Sequence, residues 1–349
     1  MSESQYPGGM YVEESGTPGS PAIVFIHGAG QSSRAWHEHM ARLADFHCLA
    51  PDLPGFGRSN RLPSASKEHM ADLLAELIEA RVPAKRASVF GISSGGLHVH
   101  ALLDRHPDRV ERAIIDGSPP FDAPRIAREI MRLITVAQAL LIRTRPGVAL
   151  WGDTHDPEDL RVASSLAFGR VVGECFGDYA AFGAPSPTLL VAGEKESHVR
   201  PIDAALAALM PEAEAWYAPG LGHCWQLADP DLHIRTVEAW VSGEELPSEL
   251  RREPAASPAK VEQVRRTGPD YWYLRHKRRI MWEVRFYFRH YRKELAKTYG
   301  KVSAEVIVRD ALQHFEALLP DIPYIGGREN SNTQPLYMTA AWLALYRSL

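Results

Sequence analysis

The sequence has few cysteines and no long apolar run. Its three cysteines, Cys48, Cys175 and Cys224, lie far apart without a CxxC spacing, so they indicate neither a disulfide framework nor a zinc motif. No apolar stretch approaches the roughly 20 residues that cross a bilayer. Residues 1–16 also lack the basic start and apolar centre of a signal peptide. We therefore expect a reduced, cytoplasmic protein.

The sequence also lacks a strong charge of either sign. A formal net charge of -4 gives no general attraction to nucleic acid or to anionic membranes, and neither is predicted as a partner. Hydrophobic residues make up 45% of the chain and charged residues 23%, as in ordinary globular proteins. Its 349 residues suffice for one large domain and a smaller one.

Short apolar runs that end in turn residues alternate with helical patterns in the first part of the chain. The strand-like runs are "AIVFIHGAG" (22–30), "FHCLAPDLPGFG" (46–57), "ASVFGISSGG" (87–96), "RAIIDGSPP" (112–120), "TLLVAGE" (188–194) and "AEAWYA" (213–218). They are short and rich in β-formers, and helices such as 64–83 and 94–108 separate them. This alternation predicts an α/β fold with a parallel sheet covered on both faces.

The order of the predicted strands and helices divides the chain into three parts. Residues 1–243 form the α/β core, and residues 119–186, which hold helical patterns without a clear strand, form a helical lid inserted into it. Residues 244–260 are polar and proline-rich and are predicted to be a linker. Residues 261–349 are predicted to be a small, mainly helical accessory domain.

Residues 91–95, "GISSG", fit the pattern G-x-S-x-G, with a strand before them and a helix after them. A nucleophile at a sharp strand-to-helix turn has a strained backbone, and glycines two residues away on either side prevent collisions with it. A plain turn that needs small residues is the alternative. The flanking strand and helix favour Ser93 as a nucleophile.

A serine nucleophile needs a general base, and the base needs an acid that orients it. His223 lies in a glycine-rich loop after the last strand-like run, where the carboxyl edge of a parallel sheet would present it. Glu196, just beyond the strand 188–194, is the favoured acid. Asp116, at the end of the preceding strand, is the alternative, and Glu194 and Asp203 stay open as weaker choices.

The transition state of acyl transfer also needs donors for the carbonyl oxygen. "HGAG" (27–30) follows a strand and has the flexibility to aim backbone amides. We expect the N–H groups of Ala29 and Ser94 to form this oxyanion hole. Substrate contacts are predicted for residues near this loop and in the lid, namely Gly28, Trp36, Trp151, Phe168 and Phe176.

"FIHGAG", "PDLPGFGRS", "GISSGG" and "GLGHCW" occur in the order found in α/β-hydrolases, and residues 10–243 resemble that family. The resemblance implies an eight-stranded, mostly parallel sheet, a helical lid and a triad in the order Ser93, Glu196, His223. One residue departs from the family pattern. The family most often has Asp where this chain has Glu196.

The C-terminal region raises a separate question. Residues 271–293 mix basic and aromatic residues, which favours an amphipathic helix over a nucleic-acid-binding patch. "IPYIGGREN" and the following "ALYRSL" helix resemble part of the L-2-amino-thiazoline-4-carboxylic acid hydrolase family, over about residues 265–349. Members of that family continue beyond the point that corresponds to Leu349. We therefore expect a truncated accessory domain or a surface for homo-oligomers rather than a second activity.

Together these features predict a serine hydrolase that cleaves a carboxylic ester or related acyl bond of a small molecule through an acyl-enzyme. No metal ion or organic cofactor is required for such a reaction. An amidase, an acyltransferase and a non-hydrolytic member of the same fold are the alternatives.

Overall fold

The computed structural model describes residues 9–118, 155–164, 167, 171, 186–196, 199–258, 261, 281, 284–285, 288–289, 292, 296–297 and 301–318. The strands are β1 (Val12–Ser15), β2 (Ala22–Ile26), β3 (His47–Pro51), β4 (Ala87–Ile92), β5 (Val110–Asp116), β6 (Thr188–Gly193), β7 (Ala213–Ala218) and β8 (Arg251–Glu253). The helices are α1 (His37–Arg42), α2 (Lys67–Arg81), α3 (Ser94–Arg105), α4 (Pro157–Val162), α5 (Arg200–Leu209), α6 (Trp225–Ala228), α7 (Pro230–Ser242) and α8 (Lys301–Leu318).

The strands form one eight-stranded sheet in the order β1-β3-β2-β4-β5-β6-β7-β8. The six central strands are parallel to one another, whereas β1 and β8 pair antiparallel at the two edges. The predicted α/β fold with a mostly parallel, eight-stranded sheet is confirmed. Because β2, β4, β5, β6 and β7 run in one direction, the loops that follow them meet at one edge of the sheet.

Helices cover both faces of the sheet, and the side chains of the strands alternate between them. Ile23 and Phe25 of β2 pack on the side of α1 and α7, whereas Val24 and Ile26 pack on the side of α2, α3 and α5. All residues of β2, β3, β4 and β6 are buried. Strands buried on both faces are apolar throughout, which is why these runs were recognisable in the sequence.

Two edge strands lie where the sequence patterns predicted none. β1 reads "VEES" and β8 reads "RRE", so neither has an apolar run. β8 falls inside the predicted linker 244–260 and pairs with β7, and an ion pair between Arg200 and Glu253 (2.6 Å) fixes it to α5. The structure therefore places part of this segment in the sheet.

Trp36 differs from its predicted role as a substrate contact. Its side chain is fully buried, because the short 3₁₀ turn Ser33–Trp36 directs it into the layer between the sheet and α1. The indole ring lies 5.4 Å from the ring of Phe25 and 5.0 Å from that of Phe90. Trp36 is thus a core residue. Of the other predicted contacts, Trp151, Phe168 and Phe176 lie outside the described residues.

The described residues of the C-terminal region are helical. Met281, Val284 and Phe288 are buried, whereas Arg285 and Arg289 are exposed. Among these described residues, the buried apolar and the exposed basic side chains therefore occupy different faces of the helix. Within the described part of the chain, no helix is both long and apolar enough to span a membrane.

Candidate active site

Ser93 stands at the turn between β4 and α3. Its backbone angles, φ 54° and ψ -124°, lie in a region that non-glycine residues rarely adopt. The turn is held by the Ser93 N–H, which donates to the Asp116 carbonyl of the neighbouring strand β5 (2.8 Å). Strain of this kind persists only where the surroundings enforce it, and it is typical of functional positions.

The glycines beside Ser93 are required by close backbone contacts. A Cβ atom at Gly91 would lie 2.5 Å from the Gly95 carbonyl oxygen, and a Cβ at Gly95 would lie 2.3 Å from that of Ile26. Cβ atoms essentially never approach other heavy atoms this closely, so a side chain at either position would force the backbone to shift. The G-x-S-x-G pattern is therefore explained by the packing of α3 against the ends of β2 and β4.

His223 and Glu196 meet at the carboxyl edge of the sheet. Nδ1 of His223 lies 2.7 Å from Oε1 of Glu196, and Oε2 of Glu196 accepts the Gly193 N–H at 3.2 Å. A carboxylate can only accept here, so the His223 proton lies on Nδ1 and the Nε2 atom of the neutral ring carries a lone pair. This orientation is what a general base needs.

Gly117 shows that this pair lies close to Ser93. A Cβ atom at Gly117 would lie 2.8 Å from Nδ1 of His223 and 3.2 Å from Oε2 of Glu196. Gly117 directly follows Asp116, whose carbonyl accepts the Ser93 N–H. Ser93 and the His223–Glu196 pair therefore lie at the same edge of the sheet, around the end of β5.

The surroundings of His223 favour its charged form. Burial alone would lower the pKa of His223, but the charge of Glu196 and its hydrogen bond raise it, with a smaller contribution from Asp116. The net result is a pKa above the ordinary value. A carboxylate that stabilises the imidazolium in this way supports proton transfer in the transition state.

Asp116, the alternative acid, has other partners. Its Oδ1 accepts the indole N–H of Trp225 (3.0 Å), and its Oδ2 lies 3.2 Å from Nε2 of His233. Burial raises the pKa of Asp116 well above its usual range, although the Trp225 bond opposes this. Burial also lowers the pKa of His233 to about 3. Asp116 therefore holds Trp225 in the core through this hydrogen bond, and Trp225 lies two residues after His223.

The two weaker acid choices have no described hydrogen bond to His223. Oε2 of Glu194, an exposed residue, accepts the Gly220 N–H (2.7 Å). Asp203 is buried in α5, and its Oδ2 has no hydrogen-bond partner among the described residues. Of the four carboxylates considered, only Glu196 has a described hydrogen bond to His223.

The loop after β2 is held by His27 and Gln31. Nε2 of His27 accepts the Leu53 N–H (3.0 Å), so Nδ1 carries the proton and donates to the Gly28 carbonyl (2.8 Å). The Gln31 N–H donates to the same carbonyl (3.2 Å), and the Gln31 side chain accepts the Gly28 N–H (3.0 Å). The Gly28–Ala29 peptide plane is therefore fixed at its carbonyl end.

The predicted oxyanion donors lie in two loops, since Ser94 directly follows Ser93 and Ala29 lies in the loop after β2. Neither the Ala29 N–H nor the Ser94 N–H has an acceptor within the described part of the chain. Ser94 is the first residue of α3, whose initial amides have no partner in the helix. Gly28 lies beside the nucleophile, since a Cβ there would be 3.4 Å from the Ser93 Cβ. One amide without a described acceptor thus follows Ser93, and a second lies next to Gly28, the residue beside the nucleophile.

Some residues that shape the site were not singled out from the sequence. His27 and Gln31 orient the oxyanion loop, Trp225 anchors the histidine loop, and His155 donates to the Ala29 carbonyl (3.0 Å). The position of His27 directly before a glycine loop was a usable signal. The partners of Gln31, Trp225 and His155 are distant in sequence or specific to the loop conformation, so no pattern reveals them.

A groove of about 390 Å³ lies beside the residues that follow the oxyanion loop. Ser32, Arg34, Asp52, Arg58 and Asp159 are among the residues that line it, and neither Ser93 nor His223 is. This groove is therefore separate from the nucleophile, although it borders the loop that carries Ala29.

The comparisons with known proteins agree with this architecture. Residues 21–135 match the family model of the alpha/beta hydrolase fold. The carboxylesterase YbfK of Bacillus subtilis is 25% identical over 256 residues, which are 68% of this chain and 85% of that protein. A pimeloyl-[acyl-carrier protein] methyl ester esterase of Pectobacterium carotovorum is 36% identical over 107 residues, 30% of this chain and 40% of that protein.

Solved structures show the same fold. A thermophilic esterase from Thermogutta terrifontis superimposes with a TM-score of 0.54 and 22% sequence identity. The match covers 67% of this chain and 93% of the esterase chain. At this sequence identity, the similarity shows only that the two proteins share the fold.

Proposed function

Because this chain is an α/β-hydrolase of the esterase and hydrolase type, we propose that it cleaves a carboxylic ester of a small molecule. In this proposal Ser93 is the nucleophile, His223 the general base and Glu196 the acid that orients His223. The observation that carries the proposal is the 2.7 Å hydrogen bond between His223 and Glu196, next to a strained serine at the same sheet edge.

The reaction begins when Oγ of Ser93 attacks the ester carbonyl carbon while Nε2 of His223 takes the hydroxyl proton. The carbonyl oxygen becomes an oxyanion, which the N–H groups of Ala29 and Ser94 stabilise. The imidazolium then gives its proton to the leaving alkoxide, and an acyl-Ser93 ester remains. Water attacks this ester, again with His223 as base, and releases the acid and the free serine.

An ester is the favoured substrate because an alkoxide leaves with less help than an amine. The similarity to a carboxylesterase and to a methyl ester esterase supports the same choice. The proposed mechanism needs a nucleophile, a base and an oxyanion hole, all of which this chain can supply from its own residues.

Hydrolysis of p-nitrophenyl esters of increasing acyl length, beside the matching anilides, tests the proposal. We expect ester hydrolysis by the wild type and a loss of about 10³-fold or more in kcat for Ser93→Ala, because the covalent route is removed. Ser248→Ala, which changes an exposed serine far along the chain, serves as the control with wild-type rates. Equal rates for Ser93→Ala and wild type would contradict the proposal, and faster anilide hydrolysis would shift it to an amidase.

A further inference from the structure

Residues 155–164, which we call the docking segment, contact the loops that follow β2 and β3. The Ser164 N–H donates to the Gly55 carbonyl (2.7 Å). Just beyond the segment, Ala167 lies so close to Gly55 that a Cβ atom added to Gly55 would be 2.1 Å from the Ala167 Cβ. The docking segment contains α4, which Asp156 caps by accepting the Glu158 N–H (2.7 Å). A short, capped helix is therefore fitted against two loops at the active-site edge.

The most direct of these contacts reaches the oxyanion loop. The Ala29 carbonyl can only accept, so Nε2 of His155 carries a proton and donates it over 3.0 Å. Peptide units are planar, so the orientation of Ala29 depends on the two planes that meet at its Cα atom. The Ala29 N–H lies in the first plane, which His27 and Gln31 hold through the Gly28 carbonyl, and His155 holds the second plane through the Ala29 carbonyl. His155 therefore acts on the Ala29 N–H indirectly, because it opposes rotation of the loop about the Ala29 Cα atom.

A buried contact lies beside it. Oγ of Ser32 donates to Oδ2 of Asp159 (2.7 Å), and both residues are almost fully buried. At the rim, Arg34 pairs with Glu158 (2.6 Å), but exposed pairs of this kind add little to stability. The docking segment thus contacts the oxyanion loop at Ala29 and the chain directly after it at Ser32.

We propose that the docking segment sets the orientation of the oxyanion hole, with His155 as a positioning residue for the Ala29 N–H. This inference rests on the proposed function, because it assigns Ala29 a role in that reaction. According to this inference, the rate of the chemical step depends on the docking segment, which is part of the predicted lid. His155 acts through Ala29 and needs no contact with the substrate.

The proposal predicts a particular kinetic signature. The oxyanion forms only in the transition state, so a misdirected Ala29 N–H lowers kcat and leaves KM nearly unchanged. A residue that merely lines the pocket would change KM and its dependence on acyl length. A residue with only a structural role would lower the melting temperature and leave kcat per folded molecule unchanged.

The experiment compares His155→Phe, which removes the donor and keeps a ring, with His155→Gln, whose amide can donate from a similar position. We expect kcat to fall about tenfold in His155→Phe, less than the 10²–10³ that loss of an oxyanion donor costs, and to recover in His155→Gln. KM should stay within about twofold of wild type. His69→Gln, on an exposed histidine of α2, is the matched control. Circular dichroism confirms that each variant is folded.

Ser32→Ala provides a second route if His155→Phe does not fold. It releases the loop at the Asp159 contact, and we expect the same loss in kcat without a change in KM. A kcat within twofold of wild type in a folded His155→Phe or Ser32→Ala, or a loss confined to KM, overturns the inference. Wild-type labelling by a fluorophosphonate separates the two claims: without labelling the proposed function fails, whereas labelling with unchanged kcat in the variants refutes the docking role alone.

Discussion

Glu196 and Glu194 lie two residues apart in one loop, yet the structure gives them different partners. Glu196 is buried and bonds to His223, whereas Glu194 is exposed and accepts a backbone N–H. Both side chains reach the histidine loop, but Glu194 meets its backbone at Gly220, whereas Glu196 meets the ring of His223. This difference provides a comparison between two side chains of the same type.

The pH profile of Glu196→Gln tests the role of this carboxylate. In the wild type the pKa of His223 is raised, and only the neutral ring is a base, so kcat/KM should rise with pH around a midpoint above 6.5. Removing the charge of Glu196 leaves burial as the main influence, which lowers the pKa of His223. We expect the midpoint to move to lower pH and the plateau to fall about a hundredfold or more.

Glu194→Gln is the control, and we expect its pH profile of kcat/KM to keep the midpoint and plateau of the wild type. If Glu196→Gln kept the wild-type profile, Asp116 would become the better candidate for the acid. Within the part of the chain that the structure describes, Asp116 is the second carboxylate whose charge raises the pKa of His223.

The sequence allows a single residue to be placed in the fold where a motif fixes its position relative to a strand. Ser93, His223 and Glu196 each follow a recognisable strand, and the ends of parallel strands meet at one edge. Trp36 was misplaced because a helical turn after a glycine loop can direct its aromatic residue either to the pocket or to the core. The angle of that turn depends on Phe25 and Phe90, which are distant in sequence.

At the scale of elements, the β4–α3 turn is the feature on which the site depends. α3 begins directly after Ser93 and packs against the end of β2, so that Gly95 lies against backbone atoms of Ile26 and His27. Backbone cannot move aside as a flexible side chain does. The turn therefore tolerates no side chain at this glycine.

Gly95→Ala should destabilise the protein and inactivate it together. The new methyl group would lie 2.3 Å from the Ile26 carbonyl oxygen and 2.7 Å from that of His27, and overpacking costs roughly 1–3 kcal/mol. We expect a lower free energy of unfolding in urea and a strongly reduced kcat. Gly222→Ala, with no atom within 4 Å of its added Cβ, should retain wild-type stability. Equal stability of the two variants would show that the turn is looser than described.

Elements with a buried apolar run were predictable, and the edge strands were not. β2, β4 and β6 are buried along their whole length and so appear as apolar runs. β8 has three residues and is mostly exposed, and it exists because β7 offers unpaired backbone groups at the sheet edge. Pairing of this kind depends on backbone hydrogen bonds, which leave no pattern in the sequence.

At the scale of the whole molecule, the sheet and its two helical layers place every element of the proposed site at one edge. The nucleophile turn, the histidine loop and the oxyanion loop follow β4, β7 and β2, and the docking segment closes on the last of these. The helical C-terminal region lies apart from these loops in the sequence, and its role as an accessory domain or self-association surface stays a prediction. The chemistry is assigned to the α/β core alone.

The site of covalent labelling by a fluorophosphonate, mapped by peptide mass spectrometry on the full-length protein, tests the central claim most directly. We expect one adduct per chain, on Ser93 and not on the adjacent Ser94, and almost none in His223→Ala. An adduct on another residue, or labelling that persists in Ser93→Ala, would contradict it.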